Sequence, residues 1–87
     1  LSQWTVYILR CADDSLYTGI TTDIERRVLE HNESNRGAAY TRGRRPVTLA
    51  YSMTATDRAD ATRHEHTIKQ LSRSAKEQLI GGRVKEL

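Results

Sequence analysis

Tyr7 and Tyr17 sit on two neighbouring runs of β-branched and aromatic residues, and strand tyrosines are either core aromatics or chemical groups. The loop between the runs decides whether they meet. A three-residue connection, Ala12 to Asp14, sets Tyr7 opposite Gly19 and Tyr17 opposite Leu9, so that both phenols share one face as diagonal neighbours; a loop one residue shorter or longer separates them. Gly19 inside a strand marks a close approach by a ligand or by backbone. Arg27 and His31 stand four residues apart on a helical run and project from one face beside Ile24 and Val28. Their plainer employment is a snorkelling arginine and a histidine capping the helix end. Glu65 is less ordinary, because it falls within the apolar stripe Ala61, Ile68, Leu71 and a carboxylate there must be paired, solvated or metal-bound. A salt bridge to Arg27 or a rotated stripe would also account for it. His64 and His66 flank Glu65, but successive helical residues diverge by about 100°, so the three cannot share one ion. Cys11 reads as a small filler, since no cationic partner can be placed beside it.

These residues need a sheet and at least two helices to hold them. Gln3 to Cys11 reads as a strand with Trp4, Val6 and Ile8 on one face and Tyr7 and Leu9 on the other, both faces covered. Ser15 to Ile20 completes a hairpin. Thr22-Asp23-Ile24-Glu25 fits a capping box opened by Thr22, with the helix running to about Asn32. Asn35 to Pro46 is a basic loop with Arg36, Arg42, Arg44 and Arg45, no acidic residue and room for one helical turn at Ala38 to Tyr40. Val47 to Met53 alternates as a third strand, a long helix spans about Asp57 to Leu71, and Ser74 caps a last short helix ending at Gly81. The order ββαβαα predicts an α+β fold with a small antiparallel three-stranded sheet flanked by helices.

The 87 residues are expected to form one domain, residues 1–87, with a small core and mixed charge. Eleven Arg against three Lys within a net charge of +3 suit phosphate, because the guanidinium fork donates two parallel hydrogen bonds. A lone cysteine excludes an internal disulfide and points to a reducing, intracellular setting. With no apolar run near 18 residues and no charged-then-apolar leader, no membrane association is expected.

Strands carrying TVYIL and LYTGI, a helix with ERRVLEHN and a later helix with a lone Glu together resemble the GIY-YIG nuclease domain. The chain is most similar to its small stand-alone, YhbQ-like subfamily over about residues 3 to 80, and YTRGRRP and IKQLSR fit the same pattern. The ordered set Tyr7, Tyr17, Gly19, Arg27, His31 and Glu65 carries the resemblance. Three departures stand out: TVY replaces GIY, YTG replaces YIG, and the asparagine that many members place after the glutamate is missing, Asn32 and Asn35 both preceding Glu65. Lys69 or Ser72 would have to supply its support.

The resemblance implies a metal-dependent DNA endonuclease, a hydrolase acting on phosphodiester bonds, with DNA repair as the implied setting. Tyr7 is the implied general base, its pKa of about 10 lowered by Arg27 and the metal. Tyr17 would orient water or phosphate, Arg27 clamp the non-bridging oxygens, His31 relay the proton and Glu65 hold one divalent cation, Mg²⁺ or Mn²⁺. The Arg36, Arg42, Arg44 and Arg45 loop, with Lys69, would track the DNA backbone and select DNA structure rather than sequence. Two rival readings are a catalytically weak nucleic-acid binding module and a nuclease subunit that needs a protein partner.

Overall fold

The computed structural model describes residues 3–82. Strand β1 (Trp4–Arg10) and strand β2 (Leu16–Thr21) pair antiparallel, and the turn between them is the three-residue one. The Cys11 N–H donates to Ser15 O and the Asp14 N–H to Cys11 O, both at 2.9 Å. Asp14 supplies the positive φ of 69° that closes such a turn, a conformation that Asp tolerates better than most side chains. The register follows: Tyr7 pairs with Gly19 and Leu9 with Tyr17.

Strand β3 (Thr48–Ala55) pairs antiparallel with the other side of β1, giving the order β2-β1-β3. A central strand needs cover on both faces, and Val6, Tyr7, Ile8 and Leu9 are all buried. A bulge between Ile8 and Leu9 shifts the β1–β3 register.

Helix α1 (Ile24–Glu33) follows β2 directly. Its cap is Asp23 rather than the expected Thr22: Asp23 is the extended residue, and its carboxylate accepts from the Arg26 N–H at 3.1 Å. The basic loop contains the short helix α2 (Ala39–Arg42). Helix α3 (Arg58–Lys69) is capped by Asp57 and lies within the expected span. Helix α4 (Arg73–Ile80) is capped two residues earlier than expected, because Ser72, not Ser74, has extended backbone and accepts from the Ala75 N–H. The ββαβαα order and the α+β class hold, with α2 as an extra turn.

The sheet divides the core in two. Val6, Ile8 and Ala55 pack with Ala61, Ile68 and Leu79, so α3 and α4 cover one face. Tyr7, Leu9, Cys11 and Val47 pack with Tyr17, Ile24 and Val28, so α1 covers the other. A four-residue ion network locks α4 to the hairpin turn. Arg10 donates from both terminal nitrogens to Glu77, at 2.6 and 3.0 Å, while Arg73 reaches Glu77 at 2.8 Å and the Asp14 carbonyl at 2.8 Å. None of the described helices is long and apolar enough to cross a membrane.

Candidate active site

The turn and the strand period bring Tyr7 and Tyr17 together on the α1 face, with ring centroids 6.5 Å apart. Gly19 is the floor beneath Tyr7. A Cβ built there would lie 2.5 Å from the Tyr7 hydroxyl and 2.7 Å from Cζ, so only glycine lets the phenol lie over β2. The helical spacing of Arg27 and His31 then points both at this face. His31 Nε2 is 3.0 Å from Tyr7 Oη, and the imidazole is completely buried. On its far side, His31 Nδ1 is 2.9 Å from Thr41 Oγ1, and the Thr41 hydroxyl donates to the Ala38 carbonyl at 2.9 Å. The Ala38 N–H makes a longer contact to Nδ1, 3.4 Å.

Burial controls the electrostatics. It pushes the Tyr7 phenol up to about 12, outweighing the pull of Arg27, with the charges of Tyr17 and Glu65 adding to the rise. This corrects the expectation that positive charge lowers Tyr7: the guanidinium is there, but desolvation is larger. Burial likewise pushes His31 down to about 4, helped by Arg27 and Arg45. At neutral pH the pair is therefore an un-ionised phenol hydrogen-bonded to an un-ionised imidazole.

Arg27 keeps its charge at the rim of this pair. Its Nη1 donates to Glu30 Oε1 at 3.0 Å and to the Arg36 carbonyl at 2.7 Å, so it pairs with Glu30 and not with Glu65. Glu65 is instead 3.2 Å from the Lys69 ammonium, and it acts on Tyr7 through charge rather than through a hydrogen bond. Among the described residues no cluster of three or more His, Cys, Asp or Glu gathers as a cation site. One carboxylate offers one hard oxygen ligand, which fits Mg²⁺ or Mn²⁺ carrying most of its shell as water and substrate phosphate, and does not fit a closed site such as structural zinc.

The basic loop is less uniform than its composition. Arg36 and Arg42 are exposed. Arg44 pairs with Asp13 at 3.0 Å, donates to the Tyr40 carbonyl and lies 4.0 Å from the centre of the Tyr40 ring. Arg45 donates to the His31 and Ser34 carbonyls, each at 2.6 Å, so the guanidinium expected on DNA phosphate is the C-terminal clamp of α1. Lys69 is committed to Glu65. Two site residues escape sequence reasoning. Thr41 is fully buried against His31, and Tyr40 stacks on Tyr17 with centroids 5.7 Å apart. The signals for them are the helical turn within the basic loop and the stretch YTRGRRP, which opens with both residues but assigns neither a partner.

A small antiparallel sheet bearing paired tyrosines over a glycine, with a helical arginine and histidine above and a glutamate from a later helix, defines a nuclease-type α+β module. The chain belongs to the GIY-YIG family, whose catalytic-domain model matches residues 3–78. That family is one of nucleases that act on DNA and generally use a divalent metal. More particularly, the chain is similar to small proteins named UPF0213. It is 57% identical to UPF0213 protein DP2720 of Desulfotalea psychrophila over 77 residues, covering 88% of this chain and 70% of that protein. It is 53% identical to UPF0213 protein VNG_2274C of Halobacterium salinarum, covering 86% of this chain and 96% of that one. The solution structure of EF2693 from E. faecalis superposes with a TM-score of 0.65 at 37% identity, covering all of this chain and 92% of that one.

Proposed function

We propose that the chain is a metal-dependent DNA endonuclease that cleaves phosphodiester bonds and selects DNA by structure rather than by sequence. The observation that carries this reading is the buried hydrogen bond from Tyr7 to His31 with a charged arginine at its rim. Making a Tyr7 phenolate in advance costs roughly 7 kcal/mol at pH 7 for a phenol pushed up to about 12. A relay sidesteps a free phenolate and moves the cost to charging an imidazole that burial and Arg27 hold down to about 4, which the substrate phosphate must offset. A water passes a proton to Tyr7 Oη while the phenol's own proton moves to His31 Nε2, leaving hydroxide and an imidazolium. The hydroxide's electron pair forms the new P–O bond, the bond to the leaving oxygen breaks, and the leaving oxygen takes a proton from solvent.

Arg27 serves twice in this scheme. Its guanidinium holds the non-bridging oxygens, and the phosphate's negative charge offsets the field by which Arg27 suppresses His31, so substrate raises the imidazole's proton affinity when a proton must be accepted. Tyr17 orients water or phosphate beside Tyr7. Glu65 is the residue that would hold Mg²⁺ or Mn²⁺, which when bound offsets charge on the phosphorane and the leaving oxygen.

Two observations favour a second reading, a binding module with little catalysis: the lone Glu65 is already paired with Lys69, and the family asparagine is absent. A metal-titrated cleavage assay on branched, flapped, nicked and single-stranded DNA separates the two. The nuclease reading expects cleavage that needs Mg²⁺ or Mn²⁺ and is lost in Glu65→Gln and Tyr7→Phe with the fold retained. DNA binding without cleavage of any structure in either metal would select the binding module.

A further inference from the structure

We infer that Thr41 is a positioning residue that fixes the tautomer of His31 and so aims the Tyr7 proton. The inference rests on the nuclease reading for its catalytic meaning, while the tautomer itself belongs to the free protein. Two hydrogen-bond arrangements are conceivable around the imidazole. In one, the Thr41 hydroxyl gives its only proton to the Ala38 carbonyl at 2.9 Å. Thr41 Oγ1 must then accept, so His31 Nδ1 carries hydrogen and donates across 2.9 Å. Nε2 is left with a lone pair, and Tyr7 donates to it across 3.0 Å. Every polar side-chain atom of Tyr7, His31 and Thr41 then has a short bond, and only the Ala38 N–H, on a half-buried residue, gives up its 3.4 Å contact.

In the other arrangement the Thr41 and Ala38 N–H protons both turn to Nδ1. The Ala38 contact is then 3.4 Å, beyond the usual N–H donor range, and two oxygens, Thr41 Oγ1 and Ala38 O, face each other at 2.9 Å without a proton between them. Thr41 and His31 are fully buried, so the Thr41 oxygen cannot hand such a repulsion to water. The first arrangement therefore holds. It leaves the Tyr7 oxygen free to accept a proton from water while its own proton already points at Nε2, which is the polarity the relay needs.

Gly37 holds this device in place. A Cβ there would lie 2.8 Å from His31 Cα and 2.9 Å from Glu30 O, both backbone, so only glycine lets the segment carrying Ala38 and Thr41 close against α1. The turn inside the basic loop thus has an inward purpose that its arginines conceal.

The test is nitrogen-15 NMR of His31 in DNA-free protein, where the shifts of the two ring nitrogens distinguish the tautomers. Wild type is expected to show hydrogen on Nδ1. Thr41→Val removes the acceptor and should shift His31 toward the other tautomer, and Thr41→Ser should restore the wild-type pattern. In the cleavage assay Thr41→Val should lower kcat about 10–100-fold with little change in KM, and Thr41→Ser should recover it. A wild-type His31 protonated on Nε2 would overturn the inference without any variant having to fold, as would an unchanged tautomer in Thr41→Val. The expected tautomer shifts in a protein that cuts no DNA would keep Thr41 as the positioning residue and remove the nuclease reading instead.

Discussion

At the scale of single residues, Tyr7 and His31 are tuned in opposite directions by one cause, burial, to about 12 and about 4. That separation makes pH a direct probe. A relay through un-ionised groups gives a kcat/KM that falls only as His31 is protonated in acid and stays flat from about pH 6 to 9, whereas a preformed phenolate gives a tenfold rise per pH unit toward the phenol's pKa. Rate measurements across that range on the preferred DNA distinguish them. The same shift is linked to stability. His31 binds a proton less readily folded than unfolded, so the unfolded chain gains protons first and stability falls as pH drops from about 6.5 to about 4, by on the order of 3 kcal/mol. His31→Asn lacks that slope, so the stability gap between it and wild type should narrow as pH falls through that window, as denaturation curves at several pH values would show. Gly19 tests the floor of the site. Gly19→Ala sets a methyl 2.5 Å from the Tyr7 hydroxyl, so the ring must move off His31, and cleavage should fall by orders of magnitude with the fold largely retained. Wild-type cleavage in Gly19→Ala would mean that the Tyr7–His31 bond is dispensable.

Elements report how much of this was readable in advance. The hairpin register was legible because a three-residue turn and a two-residue strand period leave one pairing for Tyr7 and Tyr17. The α1 spacing likewise put Arg27 and His31 on the right face. The caps were misread where two polar residues compete, Thr22 with Asp23 and Ser74 with Ser72, since backbone angles settle that contest and residue types do not. Thr41 and Tyr40 were illegible for a further reason: their partners, His31 and Tyr17, lie on other elements. Glu77 belongs to the same class. Nothing local marks it, yet Arg10 and Arg73 hold its carboxyl down to about 2 and join α4 to the hairpin turn. Its contribution is present above the ordinary carboxylate range near 4.5 and is lost as pH falls toward about 2. Glu77→Gln should therefore lower the thermal midpoint at pH 7 and converge with wild type in acid, while cleavage is unchanged. An identical midpoint at pH 7 would mean that the network merely decorates the surface.

For the molecule as a whole, the question is which arginines are available to a polyanion. Arg10 and Arg73 are bound to Glu77, Arg27 to Glu30, Arg44 to Asp13, and Arg45 to two carbonyls at the end of α1. Arg36 and Arg42, by contrast, are exposed and have no carboxylate partner among the described residues. They flank the turn that Gly37 presses against His31, so a DNA backbone lying across them passes beside the Tyr7–His31 pair. This placement divides the basic loop into two functions with separate signatures. Arg36→Ala with Arg42→Ala should weaken binding to all DNA sequences alike and flatten the salt dependence of affinity, by about 0.9 in log–log slope for each lost duplex-phosphate contact, with turnover at saturating DNA preserved. Arg45→Ala should leave that slope alone and destabilise the fold by about 1–3 kcal/mol, because two helix-end carbonyls lose a charged donor. Titrations at several salt concentrations, paired with chemical denaturation, measure both. A slope that falls in Arg45→Ala and stays constant in the double variant would reverse the assignment and move the DNA path to the α1 C-terminus.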